Sequence, residues 1–372
     1  MKILLISVTN GQINRGVESW TNQIMFHMSK NGEDVRLIQG GDEIPKFLID
    51  YSEKINIVKH KILDLSGDQR FSSKIRRRLG IYTTDIEVRK FYRKIEKYIA
   101  EENPDILLSV SGELKELYRI KKNYNLKAKM VIVGHAGIPK DVKFSDAFIA
   151  LSERDFNSIV LPQPQKIYCV NNGVDTNLFS TENVDKTVTQ RYSSLPKPII
   201  LCVSALVPYK RVQLLVDAYS LLQKGSLIII GDGPEKRVIQ EKIDNIRYMS
   251  NKDDIKLISH VPFSEMPSYF SLADVFVHPA DSNEAFGSVI VEALAMGKAV
   301  VANNDEVRKK IVGDVGFLVN AADVQALSNT IEKAFSDSND KELIRARRQK
   351  SLDFSWEKVV GDYLEIFREV MS

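Results

Sequence analysis

Residues 275–301 read VFVHPADSNEAFGSVIVEALAMGKAVV, which parses as strand, loop, helix and strand. An apolar run of strand length, a polar turn, an apolar-periodic stretch and a second β-branched run are the parts of a βαβ unit. The helix is expected from about Phe286 to Met296, with Gly297 supplying the left-handed residue that ends it. Working outward, the same alternation extends over nearly the whole chain. Strands are expected at Ile3–Val8, Val35–Gln39, Ile55–Val58, Ile106–Val110, Met130–Val133, Ala147–Ala150 and Ile167–Val170. A second set is expected at Ile199–Val203, Leu227–Ile230, Lys256–Ser259, Val275–Val277 and Ala299–Val301. Strands separated by helical patterns imply an α/β class with parallel sheets.

The chain has 372 residues, which exceeds one compact core and suits two domains. The stretch from Asn172 to Pro198 is polar, keeps no sustained period and breaks the alternation, so the boundary is placed there. Phe354 to Met371 is a long amphipathic pattern beyond the second set of strands, and its apolar face needs a partner. A net charge of +3 argues against a general polyanion binder, and the apolar share of 44% argues against disorder. Cys169 and Cys202 each sit in an apolar run, which excludes a disulfide scaffold and a cysteine zinc site. No window reaches the roughly 20 apolar residues of a spanning helix, and MKILLISV is too short for a signal peptide. A cytoplasmic protein is expected, with peripheral attachment to the inner face of the plasma membrane left open.

Glu284 and Glu292 flank the start of the expected helix. Eight residues at a helical rise of 1.5 Å put their carboxylates about 12 Å apart, beyond the roughly 5 to 9.5 Å of a glycosidase pair. That span suits a ligand with hydroxyls at both ends and a diphosphate between, as in a sugar nucleotide. The N–H groups of Phe286, Gly287 and Ser288 at the helix start would donate to a phosphate oxygen, and Gly287 lets the backbone come close. Glutamates more often merely cap or solvate a helix, so the surrounding residues decide between the readings.

Those residues carry a resemblance. Glu284 and Glu292 with FG between them, followed by EALAMGKAVV, resemble the E-x7-E element of retaining glycosyltransferase family 4, the glycosyltransferase group 1 enzymes of GT-B fold. NNGVD at 171–175 with Phe179, LVPYKR at 206–211, GDGPE at 231–235, LADVFVHP at 272–279, GFLV at 316–319 and FSW at 354–356 are similar to that family's elements in order and spacing. The resemblance covers roughly Lys166 to Phe367. It implies two Rossmann-like domains with parallel sheets facing a central cleft: residues 1–172 for the acceptor, 173–353 for a nucleotide-sugar donor, and a helix over 354–372 that crosses back to the N-terminal domain.

The resemblance also implies roles. Lys210 and Arg211 match a cationic clamp on the diphosphate, chemistry that a point charge and a forked guanidinium both suit. Ala205 stands where many relatives carry an additional arginine. Gly16 opens a helix where relatives have a glycine-rich phosphate loop, with Arg15 in place of a second common glycine. His135, in GHAG after the fifth strand, falls at the family's cleft histidine, beside the anomeric carbon. Glu284 would hold donor-sugar hydroxyls and Glu292 ribose hydroxyls. Gly231 belongs to a tight turn lining the nucleotide pocket, a structural role being equally open. The base falls near His260 to Phe263, where nothing separates uracil from guanine. His27, His60, His260 and His278 show no metal-ligand spacing and read as structural or solvated.

The implied activity is metal-independent transfer of a hexose, such as mannose or glucose, from a UDP- or GDP-sugar to a glycan, lipid-linked or other hydroxyl acceptor, with retention. The nucleotide-sugar is substrate, and no cofactor is called for. A GT-B sugar-nucleotide epimerase and a non-catalytic sugar-nucleotide-binding subunit are the alternatives, Ala205 and Arg15 leaning toward the latter. A dehydrogenase would need a complete G-x-G-x-x-G after a strand, which neither half supplies. Separately, residues 70–97 hold ten Lys/Arg against three acidic residues, a local charge of +7. Such a segment is either a solvated face or a seat for an anionic membrane surface. Nucleic acid is not an expected partner, because no aromatic platform accompanies the charge.

Overall fold

The computed structural model describes residues 1–10, 16–44, 55–59, 83–110, 114–135, 139, 141–158, 166–250 and 254–372. Arg15 and the basic residues from 70 to 78 lie outside them. The chain forms two units, Met1–Asn171 with Val359–Ser372, and Asn172–Lys358.

In the first unit the described residues form a parallel sheet of β1 (Lys2–Ser7), β2 (Asp34–Gln39), β3 (Ile55–Lys59), β4 (Ile106–Ser109), β5 (Lys129–Val133), β6 (Ala147–Ala150) and β7 (Lys166–Cys169). The strand order is β3-β2-β1-β4-β5-β6-β7. Ile3 to Ile6 and Ile106 to Leu108 are fully buried, as central parallel strands covered by helices on both faces must be. In the second unit β8 (Ile199–Val203), β9 (Ser226–Ile230), β10 (Ile255–Ile258), β11 (Val275–His278), β12 (Ala299–Asn303) and β13 (Phe317–Val319) are ordered β10-β9-β8-β11-β12-β13, again all parallel. Each sheet is doubly wound. The strand order reverses between β1 and β4 and between β8 and β11, and the carboxyl ends of strands at such a point are where this architecture binds ligands.

All twelve expected strands are present. The sequence reading did not include β13, whose three residues are too few to show a period. The stretch from Asn172 to Pro198, which begins where the two units divide, is structured. It carries the helix Lys186–Arg191, capped by Asp185, and sinks Val174, Phe179 and Val188 into the second unit's core. Its apolar residues are isolated anchors, so they leave no periodic trace; Phe179 meets Phe270 edge-on at 5.7 Å. The expected helix at Phe286–Met296 spans Ser288–Ala295 instead. Gly287, at φ +84°, breaks helical geometry before Ser288, and the Phe286 ring is drawn into the core against Phe354 at 5.7 Å. Gly297 ends the segment at φ +72°, as its type suggested.

The start and end of the second unit are stitched together. The Val174 amide donates to the Phe354 carbonyl at 2.8 Å, and the Trp356 amide donates to the Val174 carbonyl at 3.3 Å. Residues 354–358 therefore stay with the second unit, and the last helix, Trp356–Met371, joins the first unit from Val359 onward. There Tyr363 and Phe367 are fully buried, and Tyr363 lies 5.8 Å from Trp20. Gly173 has its backbone against the Trp356 indole, where an added Cβ would come closer than 3.0 Å to three ring atoms. Gly173→Ala should destabilise the second unit by about 1–3 kcal/mol through overpacking, read as a lower denaturant midpoint; an unchanged midpoint would show that the indole is loosely held.

Candidate active site

Two loops leave the carboxyl ends of β8 and β11, the neighbouring strands at the second unit's reversal point. The first runs through the 3-10 turn Pro208–Lys210 to Arg211, which takes a left-handed conformation at φ +54° before the helix Val212–Ser220. The second runs from Pro279 to Gly287. They are joined where the Asp281 amide donates to the Tyr209 carbonyl at 2.8 Å. Across them the Lys210 ammonium contacts the Glu284 carboxylate directly. The Arg211 guanidinium lies 3.8 Å from the Asp281 carboxylate. Burial pulls the Lys210 ammonium down to about 8, whereas the carboxylate in contact with it favours the charged form.

Three of the predicted residues, Lys210, Arg211 and Glu284, are thus brought together. The start of the helix Ser288–Ala295 follows Glu284 by four residues. Gly287 is its N-cap and no side chain caps it, so the first backbone N–H groups, including that of Ser288, keep their positive end for a ligand. Gly287 is also required sterically: a Cβ there would lie 3.2 Å from His278 Nε2 and 3.3 Å from Ile290 Cδ1. Gly231 ends β9 against the loop after β8, where an added Cβ would run into the Ser204 carbonyl oxygen. Its position therefore has a packing explanation of its own. Glu292 is buried in the second turn of the helix, and loss of hydration pushes its carboxyl up to about 8.

In the first unit, His135 follows β5 and Gly16 opens the helix Gly16–Lys30. That helix carries Trp20, whose ring meets the His135 imidazole edge-on at 4.7 Å. Burial pushes His135 down to about 3, so the ring is neutral.

Two residues at this site were not singled out from sequence. Arg308, on the helix Glu306–Val312, is fully buried. It donates to the Glu284 carbonyl at 2.8 Å and the Asp281 carbonyl at 3.3 Å, and pairs with the Asp305 carboxylate at 2.7 Å. A signal existed, since Arg308, Ile311 and Val312 share the i, i+3, i+4 face that the apolar residues bury. His278, the last residue of β11, is fully buried with Nε2 3.8 Å from the Glu284 carboxylate.

With this geometry in place, comparison with known proteins is informative. A family model described as glycosyl transferases group 1 matches residues 185–351. The matched stretch, less than half of the chain, includes Lys210, Arg211, Glu284, Glu292 and Arg308. The chain is similar to the O-antigen chain mannosyltransferase B of Escherichia coli, 28% identical over 188 residues, 49% of this chain and 48% of the relative. The chain spans about half the length of that relative and of a GDP-mannose-dependent mannosyltransferase of Mycolicibacterium smegmatis. Its architecture is that of a glycosyltransferase from Rickettsia africae, with a TM-score of 0.77 at 20% identity over 100% of this chain and 98% of the other. HepE of Anabaena, solved in complex with UDP and glucose, aligns with a TM-score of 0.74 at 19% identity over 99% of both chains. The fold is GT-B, and each unit is Rossmann-like.

The burial of Glu292 has a measurable consequence. Its folded-state value, about 8, is raised above the ordinary 4.5, so burial favours the protonated form and the fold loses stability as pH rises from 4.5 through 8. Glu292→Gln removes this loss. Its stability relative to the unaltered protein should grow from pH 4.5 to 8 and level off above, in denaturant titrations without ligand. A difference independent of pH would mean that the carboxyl is hydrated.

Proposed function

We propose that the chain is a glycosyltransferase that moves a hexose from a UDP- or GDP-linked donor to a hydroxyl of a glycan or lipid-linked acceptor, with retention of anomeric configuration. The observation that carries this reading is the meeting of Lys210 and Glu284 beside an uncapped helix start at the strand-order reversal. Cations and backbone N–H groups suit a diphosphate, and a carboxylate four residues earlier suits sugar hydroxyls. The group 1 family match, the mannosyltransferase relative, and UDP with glucose in the Anabaena structure support the same direction.

In this reading Lys210 and Arg211 hold the diphosphate while the bond from the anomeric carbon to the phosphate oxygen breaks. Negative charge develops on the leaving oxygen, and fixed cations stabilise it more in the transition state than before. The acceptor oxygen bonds to the anomeric carbon on the face that the phosphate leaves, and its proton passes to the departing phosphate. Glu284 holds sugar hydroxyls and Glu292 the ribose. His135 is assigned to the sugar beside the anomeric carbon; as a neutral imidazole it offers one N–H and one lone pair without adding charge. Gly16, Phe286, Gly287 and Ser288 contribute backbone, with Gly231 shaping the turn.

A second surface reading rests on its own observation. On the helix Thr83–Glu102, Arg89, Lys90, Arg93, Lys94 and Lys97 are all exposed and follow the spacing of one helical face. We infer that this face meets an anionic bilayer, each cation near the surface contributing about 1 kcal/mol. Among the described residues no helix is long and apolar enough to cross a membrane.

Lys210→Ala should lower turnover of the accepted nucleotide-sugar by roughly 100-fold or more with an unchanged circular dichroism spectrum, and near-normal turnover would remove the clamp assignment. The protein should sediment with phosphatidylserine vesicles at low salt and be released at about 0.5 M salt, where screening is short-ranged. Equal behaviour with neutral vesicles would end the membrane reading.

A further inference from the structure

Buried polar atoms without a hydrogen-bond partner are rare, and each costs a fold about 1–3 kcal/mol. His278 has two: among the described residues neither Nδ1 nor Nε2 has a partner, and the residue is fully buried. It is not loosely placed. Its ring stacks on Phe276 at 6.5 Å with 14° between planes, and its backbone belongs to β11. Nε2 faces the Glu284 carboxylate at 3.8 Å, one small rotation beyond hydrogen-bond length. Gly287 keeps that space open, since any side chain there would begin 3.2 Å from Nε2.

The Glu284 carboxylate meanwhile contacts the Lys210 ammonium. On the reading above, which this inference rests on, the donor's diphosphate competes for that ammonium. Glu284 would then be left partly buried without its counter-charge, which is costly unless another donor replaces it. We propose that His278 is a positioning residue for Glu284: when the diphosphate draws Lys210 away, the Nε2–H of His278 takes the carboxylate and holds it toward the donor sugar. Arg308, bonded to the Glu284 and Asp281 carbonyls, keeps the loop in place while the side chain changes partner. The ring can donate while neutral, and burial together with the Lys210 and Arg308 cations keeps it so. No proton is transferred, because the N–H stays on the imidazole. Nε2, which has no partner among the described residues while Glu284 holds Lys210, thereby gains one when the diphosphate takes the ammonium.

The test measures binding of UDP and of GDP to the full chain by calorimetry, with thermal midpoints recorded without ligand. His278→Leu should weaken the diphosphate that the unaltered protein binds by about tenfold, leaving the midpoint unchanged or higher, because an orphaned polar group has been removed. His278→Gln, whose amide can donate, should recover most of the affinity. In a Glu284→Gln background the leucine substitution should change affinity less than about twofold, since an amide needs no replacement for a lost counter-charge. Full affinity in His278→Leu, an equal loss in the Glu284→Gln background, or a midpoint that falls together with affinity would each overturn the hand-over while leaving the nucleotide-sugar reading intact. Failure of the unaltered protein to bind either diphosphate would take both down.

Discussion

A guanidinium withdrawn from water must find acceptors for its donors within reach, and Arg308 finds them on the loop that matters. With no exposed surface it bonds the carbonyls of Asp281 and Glu284 and the Asp305 carboxylate. Removing either side would strand a charge inside the protein, so the loop has little freedom to wander. The contact of Glu284 with Lys210, the approach of His278 and the left-handed entry at Gly287 all depend on that backbone staying where Arg308 holds it. The Glu284 side chain, though carried on a loop, thus gains the steadiness usually supplied by a strand.

Legibility in the sequence followed physical cause. β1, β8 and β11 were readable because strands covered on both faces must be continuously apolar, and KILLIS, IILCV and VFVH are nearly so. Gly297 was readable because a positive φ favours glycine. The anchors Val174, Phe179 and Val188 were not, since isolated residues filling a core from a loop produce no period. Lys210, Arg211 and Glu284 could be named from motif spacing, yet their mutual contact is a tertiary fact. His278 reads from sequence as structural or solvated, and its burial fits the first; a lone histidine at a strand end shows neither its depth nor what it faces.

Glu292, Lys210 and His278 of the second unit are displaced mainly by one cause. Glu292 is pushed up and Lys210 pulled down, each to about 8, mainly by loss of hydration. His278 is drawn well below its ordinary range, with two cations adding to its burial. A site whose charges are poorly hydrated before a ligand arrives has less solvent left to strip, and its electrostatics act through a lower effective dielectric constant. The uncapped start of Ser288–Ala295 belongs to the same economy, leaving donors unsatisfied where a partner is to come.

The return of the polypeptide at Val359 bears on the order in which the molecule can be completed. Tyr363 and Phe367 occupy the interior of the first unit but are synthesised only after the whole of the second. The first unit therefore cannot finish its interior before the second has been synthesised, contrary to the usual progression of domains from first to last. Until Tyr363 has been made, Trp20 lacks the ring that packs beside it, and any fragment stopping near residue 171 would carry that gap for good.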